Sequence, residues 1–247
     1  MKKITILNLK GGVGKTMTAI NFAYYLTKHH YRVLVIDCDK QGNLSKFFNA
    51  YGYEKPTTAS VILGERKAAE AIQPTKYENL DIITTNMELV TADKKVMMDT
   101  ARQQWNRFQK ALKELDYDFC IFDCAPDINM ITINALAASD EVIIPAKVDE
   151  WTFDGVDEII RQIQSVQEEF NPNLTFRGCL LTSYRNNDVN NQGLELLQTK
   201  YKVFDTKIRW SEKADEMTFV REPLSIYSPN SGAARSYKKF TKEYLEG

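Results

Sequence analysis

Between residues 10 and 16 the chain reads Lys10-Gly11-Gly12-Val13-Gly14-Lys15-Thr16, two lysines bracketing three glycines within seven positions. Glycines suit a backbone that must fold tightly around phosphate oxygens and aim several N–H groups at them. Lys15 can place an ammonium on the outer phosphates of a nucleoside triphosphate, and Thr16 can offer its hydroxyl to Mg²⁺. Three carboxylates stand at or just past the ends of apolar runs: Asp37 and Asp39 after Val33–Ile36, and Asp123 after Phe119–Phe122. Mg²⁺ takes oxygen ligands and keeps several waters, so one or two acids beside the phosphates suffice. The plainer readings are a Gly-rich turn with incidental lysines, and acids that merely cap a helix or close a turn. A run of seven matched positions following a strand speaks against the first of these.

The elements that must position these groups follow from hydrophobic pattern. Residues 3–9 form a short β-branched and apolar run, as expected of a buried strand, and residues 15–29 show helical spacing, so the glycine segment links a strand to a helix. That helix would add its positive end to the phosphate site. Further strands are expected at 32–37, 80–84, 119–122, 141–145, 176–182, 203–209 and 224–227, with helices at 87–114, 129–138, 154–169, 188–200 and 231–245. Nearly continuous apolar strands alternating with helices indicate an α/β fold: a doubly wound, mostly parallel twisted sheet with helices on both faces. In such a sheet each parallel strand delivers its last residue to the ligand crevice, which is where Asp37, Asp39 and Asp123 would lie. No repeat or Pro/Gly-rich linker divides the chain, so residues 1–247 are expected to be a single domain.

Composition narrows the field without naming a partner. The 247 residues are 43% apolar and 26% charged, and 32 Lys and Arg face 33 Asp and Glu. Any nucleic-acid or membrane surface must then come from local clustering. The four cysteines, Cys38, Cys120, Cys124 and Cys179, lie mostly in apolar runs without zinc spacing, as expected of reduced core thiols. His29 and His30 fit the last turn of a helix, where a cation is favourable. The apolar N-terminal stretch is too short for a signal peptide, and there is no run of eighteen apolar residues, so a soluble cytoplasmic protein is expected.

The common phosphate-loop pattern requires glycine at position 9, where this chain has Leu9. The variant K-G-G-V-G-K-T resembles the deviant Walker A motif of the ParA/MinD ATPases. The likeness continues through V-L-V-I-D-C-D-K-Q-G-N (33–43), Y-D-F-C-I-F-D-C-A-P (117–126), I-T-I-N-A-L-A-A-S-D-E-V-I-I-P (131–145) and S-P-N-S-G-A-A-R-S-Y (228–237). It spans nearly the whole chain and looks closest to the ParA/Soj partition branch. The resemblance implies a deviant P-loop NTPase that uses ATP and Mg²⁺ and hydrolyses slowly without an activator. It implies that Gly11, Gly12, Val13, Gly14, Lys15, Thr16 and Met17 cradle the phosphates, with Thr16, Asp37 and Asp123 around the metal. By the same resemblance Asp39 orients the attacking water and Lys10 crosses a dimer interface to the partner's phosphates. Adenine would lie near Thr182–Ser183 and Pro223, and no guanine-type N-K-x-D follows the 176–182 strand. The partners implied are a second copy bound on ATP, nonspecific DNA with nucleoid association, and a ParB-like centromere-binding adaptor.

Departures from the pattern bear on rate and switching. Lys40 stands where the family usually has proline, Met17 replaces a common threonine, and Ala125-Pro126-Asp127 replaces P-P-S. The family's I-P-R stretch reads Ile208-Arg209-Trp210 here. From 205 to 247 eight Lys and Arg accompany seven acids, so charge alone marks no DNA surface. Arg209, Arg235, Lys238 and Lys239 are the DNA-contact candidates, beside the plainer reading of a solvated mixed-charge helix. No helix-turn-helix is expected ahead of the first strand. Three alternatives stay open at this point. A MinD-like membrane switch needs an amphipathic C-terminal helix, where the tail offers only Phe240, Tyr244 and Leu245. A nitrogenase-iron-protein-like reading needs facing cysteines, of which only Cys124 is well placed. A nucleotide-binding interaction protein with negligible turnover remains, because the loop at Lys40 is altered.

Overall fold

A computed structural model describes residues 1–149 and 152–247. Among them seven strands make one sheet: β1 (Lys2–Ile6), β2 (Val33–Cys38), β3 (Ile72–Pro74), β4 (Leu80–Ile83), β5 (Phe119–Cys124), β6 (Glu141–Ala146) and β7 (Thr175–Leu181). Their order across the sheet is β3-β4-β2-β5-β1-β6-β7. All pairings are parallel except that of β3 with β4. The connecting helices are α1 (Lys15–Lys28), α2 (Asn43–Phe47), α3 (Thr58–Leu63), α4 (Ala68–Ala71), α5 (Glu88–Met98), α6 (Arg107–Ala111), α7 (Met130–Ala138), α8 (Thr152–Glu169), α9 (Asp188–Lys200), α10 (Glu212–Val220), α11 (Leu224–Tyr227) and α12 (Gly232–Glu246).

The doubly wound arrangement follows from the two-residue period of the strands. Leu34 and Ile36 enter one core, with Val61 of α3, Leu89 of α5, Phe108 of α6, Ile131 of α7 and Val156 of α8. Val33 and Val35 enter the other, with Phe22 of α1, Met217 of α10, Leu224 of α11 and Phe240 of α12. Both faces of β2 and β5 are therefore buried along their whole length, the condition that makes parallel strands uniformly apolar. Since β1 lies between β5 and β6 while β2 lies beyond β5, the chain reverses its winding beside β1, and the crevice opens at that strand's C-terminal end.

The helix α12 turns its apolar side inward. Phe22 of α1 meets the Phe240 ring at 5.1 Å and the Tyr244 ring at 4.9 Å, while Arg235, Lys238, Lys239 and Lys242 are exposed. Ser231 caps its start by accepting the Ala234 N–H. The apolar face that a membrane-seeking helix would need is thus covered by α1. No helix among the described residues is long and apolar enough to cross a membrane.

Three expectations need correction, and one strand was not expected. The helix at 87–114 is two helices, because the Asp99 carboxylate accepts the N–H groups of Ala101 and Arg102 and pairs with the Arg102 and Arg107 guanidiniums. That local bonding competes with the helical ladder. The strand at 203–209 reduces to single bridges, of Val203 with Cys179 in β7 and of Arg209 with Tyr184 beyond its end. Between them the N–H groups of Asp205 and Thr206 are taken by the Glu243 carboxylate, at 2.7 and 2.9 Å. Residues 224–227 are helical, opening at Pro223 with the Leu224 N–H donated to Asn21 Oδ1 at 2.9 Å. The antiparallel strand β3 has no counterpart among the expected strands; it is three residues long and ends on a proline, which a sheet edge tolerates.

Candidate functional site

The loop from Leu7 to Gly14 joins the end of β1 to α1, and Gly12 and Gly14 hold left-handed φ values of 72° and 83°. A side chain at Gly11 or Gly12 would meet only open space, so these glycines leave the backbone bare for a ligand. The loop is pinned at both ends. Asn8, which no motif singled out, is 3% exposed; it donates to Pro145 O at 2.7 Å and accepts the Lys10 N–H at 2.9 Å. Thr182 donates its hydroxyl to Val13 O at 2.8 Å.

Lys15 is 8% exposed and donates its ammonium to Lys10 O at 2.9 Å, across the mouth of the loop. Burial lowers its pKa, against the raising influence of Asp123 and Asp39. Lys10 turns back onto Asp149 of its own chain in an ion pair. Met17, Thr182 and Pro223 all border the start of α1: Asn21 donates to Met17 O and accepts from Leu224 N, bringing the α11 cap against the first turns. Met17 itself is half-buried against the α1 side of the core.

The parallel register places Asp37 opposite Asp123 and Cys38 opposite Cys124 on neighbouring strands. Asp123 is 1% exposed, and its Oδ1 is buried without a hydrogen-bond partner. Burial and then the Asp37 charge push its pKa well up, opposed by the Thr16 hydroxyl and Lys15. Burial likewise raises Asp37 to about 7, although Ser45 bonds hold it down. A buried acceptor left unpaired beside the Thr16 hydroxyl is costly unless something positive meets it. These oxygen donors fit Mg²⁺, whose sites need few protein ligands. Among the described residues no three His, Cys, Asp or Glu side chains gather as a cage for another metal. Both Asp37 oxygens, by contrast, already accept hydrogen bonds from the following loop.

Beyond Thr182, Arg209 and Lys239 line a groove of about 690 Å³ with Tyr184, Arg185, Lys207 and Trp210. Arg185 stacks 4.0 Å from the Trp210 ring centroid, and Lys207 lies 5.9 Å from that of Tyr184. Asp205 is the one acid among the described residues that line it, and its N–H is fixed by Glu243. Arg235 and Lys238 are exposed on α12 but outside the groove. Sequence reasoning missed Arg185 and Lys207, because they come together only through the edge bridge between Tyr184 and Arg209.

Known proteins share much of this sequence and this fold. A family model described as an AAA domain matches residues 1–176. The Bacillus subtilis sporulation initiation inhibitor protein Soj is 32% identical over 252 residues, covering 98% of this chain and 97% of Soj. The chain belongs to the ParA/Soj family of ATPases. The Caulobacter vibrioides chromosome partitioning protein ParA is 30% identical, with 99% of this chain and 94% of ParA covered. Among solved structures, cobyrinic acid a,c-diamide synthase from Mycobacterium smegmatis, with an ATP analogue and magnesium bound, superposes at a TM-score of 0.86. It is 26% identical and matches 100% of this chain and 95% of its own.

Proposed function

We propose that this ParA/Soj-family chain is an ATP-driven partition switch, which dimerises on ATP, binds DNA nonspecifically and hydrolyses ATP to move a plasmid or chromosome. The observation that carries this reading is the bare glycine loop beside the unpaired Asp123 oxygen, in a chain alike to Soj and ParA over nearly its full length. The loop N–H groups from Gly11 to Gly14 and the Lys15 ammonium bind the triphosphate, Lys15 exchanging the Lys10 carbonyl for phosphate oxygens. Thr16 and Asp123 would hold Mg²⁺, and the ion would supply positive charge to offset that of the transferring phosphoryl group. Asp37 supports that shell from behind. Asp39 orients the attacking water, and turnover is slow until an adaptor of the ParB kind engages. Adenine lies beside Thr182 and Pro223.

Lys10 leaves Asp149 and reaches the partner's phosphates, a second cation for the charge of the transferring group and a link between chemistry and assembly. Assembly doubles the basic surface formed by Arg185, Lys207, Arg209 and Lys239, with Arg235 and Lys238 on its flank. Two weak patches joined in one particle gain avidity without new contacts, which is how ATP gates DNA binding.

The test is binding to nonspecific duplex DNA over a range of salt, with ATP or ADP, for the wild type and Lys10→Ala. Binding with ATP alone, falling steeply with salt and abolished in Lys10→Ala, is the expected result. Salt-sensitive binding that is equal in ATP, ADP and the variant would overturn gating by dimerisation.

A further inference from the structure

The loop that carries Asp39 is anchored by a serine that has no part in the chemistry proposed so far. Ser45, in the first turn of α2, is fully buried. Its hydroxyl donates to Asp37 Oδ2 at 2.7 Å and its N–H donates to the same oxygen at 2.8 Å, while its Oγ accepts the Thr85 N–H at 2.9 Å. One hydroxyl therefore ties the end of β2, the start of α2 and the segment after β4. The other Asp37 oxygen, Oδ1, accepts the Asp39 N–H at 3.2 Å. The Asp37 carbonyl accepts the Thr58 hydroxyl at 2.8 Å, fixing the strand end from its far side.

Between these anchors the chain makes a tight loop. Gly42 N–H donates to Asp39 O at 2.8 Å, and Gln41 N–H donates to the Asp39 carboxylate at 3.0 Å. Gly42 has a left-handed φ of 63°, and a Cβ there would come within 2.5 Å of the Tyr51 ring. Asp39, whose charge Lys15 feels, thus sits on a bracket with one end fixed to Asp37 and the other to Ser45. As a buried hydroxyl must be, Ser45 is satisfied as donor and acceptor, and the partners it uses are the two elements that frame this loop.

We propose that Ser45 is a positioning residue for hydrolysis: through Asp37 it fixes the 39–45 loop, so that Asp39 stands at one place beside the phosphates. The inference rests on the reading of Asp39 as the water-orienting acid. Small displacements of such a group cost rate more than binding, because orientation matters most in the transition state.

The experiment compares wild type, Ser45→Ala, Ser45→Cys and Asp39→Ala, and Ser45→Ala combined with Asp39→Ala. It measures ATP affinity, steady-state turnover with DNA, and the rate of tryptic cleavage after the exposed Lys40 relative to other sites. Ser45→Ala should lower turnover about tenfold with ATP affinity within about twofold, and should speed cleavage after Lys40 several-fold. Ser45→Cys, which keeps the volume with a weaker donor, should fall between, and it carries the test if the alanine variant does not fold. The double variant should turn over no more slowly than Asp39→Ala alone. Unchanged cleavage after Lys40, or ATP affinity falling in step with turnover, would overturn the inference. Equal turnover by wild type and Asp39→Ala would instead remove the role of Asp39, and the Lys40 cleavage rate would still decide whether Ser45 holds the loop.

Discussion

In the proposed function the phosphate loop and the basic groove both meet phosphate oxygens, and they differ in which atoms would face the anion. In the loop the donors are backbone N–H groups held by Asn8 and Thr182, with a single nearly buried ammonium, Lys15. In the groove they are long side chains on three separate segments, Arg185, Lys207 with Arg209, and Lys239, able to adjust to a ligand that brings a phosphate every few ångströms. A preorganised backbone cradle recognises one small ligand at one register, and removing one member disables it. A fringe of cations recognises charge density and loses binding in small steps.

The widest separation between the two regions comes from Lys15→Ala. Loss of the one ammonium inside the cradle should weaken ATP binding about 100-fold or more, the scale on which a desolvated charge pair is felt. ATP-gated DNA binding should disappear with it. Titration calorimetry with Mg-ATP reads the first effect and DNA binding the second. ATP affinity within a few-fold of wild type would mean that backbone donors alone carry the triphosphate.

The same contrast governs what was legible in the sequence. The cradle is local: Lys10 to Thr16 are contiguous, strand and helix flank them in the chain, and the carboxylates end apolar runs, so spacing put Asp37 and Asp123 at strand ends while the sheet order made them neighbours. What spacing could not supply was which carboxylate oxygen is free. Asp37 and Asp123 are equivalent as strand-end acids, yet Ser45 occupies one and leaves the other unpaired. The groove is nonlocal, since Arg185 and Arg209 meet through one bridge along a sheet edge. Counting charges over 205–247 excluded Arg185 by its boundaries and included Arg221, whose side chain bonds Asn49 instead. The helix expected at 87–114 failed for a related reason: its periodicity was sound, but the bonds made by Asp99 are specific to one side chain.

Proton linkage offers a second, smaller separation. Asp37 is raised to about 7, and Asp123 is raised in the same direction, chiefly by burial. A carboxyl whose folded pKa lies above its unfolded value binds its proton more tightly in the native state. Its contribution to stability is therefore full below the unfolded carboxylate range and declines as pH rises through about 4 to 7. The nucleotide-free protein should accordingly lose stability between about pH 4 and 7, by on the order of 1 kcal/mol per pH unit through Asp37. Denaturant midpoints measured at unit steps from about pH 4 to 8 check this, and Asp37→Asn should flatten the curve. A flat wild-type curve would mean that both acids are already ionised in the native protein, and the phosphate end would then resemble the groove, where charges stay solvated.

The smallest effect belongs to a single groove residue. Arg209 is exposed at its head, while its stem lies against the first turn of α12, where a Cβ on Gly232 would come within 3.2 Å of Arg209 Cδ. Arg209→Ala takes one guanidinium from each protomer's groove, so the slope of log affinity against log salt should fall by about one for each phosphate no longer neutralised. ATP affinity should be unchanged. Trp210→Ala is the complementary change, since it takes away the ring on which Arg185 stacks without altering the charge. If the groove works by counterion release, this second variant should lower DNA affinity only a few-fold and leave the salt slope where it was. A slope that fell in Trp210→Ala as much as in Arg209→Ala would show that the stacked pair acts as one preorganised donor, and the groove would then share the logic of the phosphate loop.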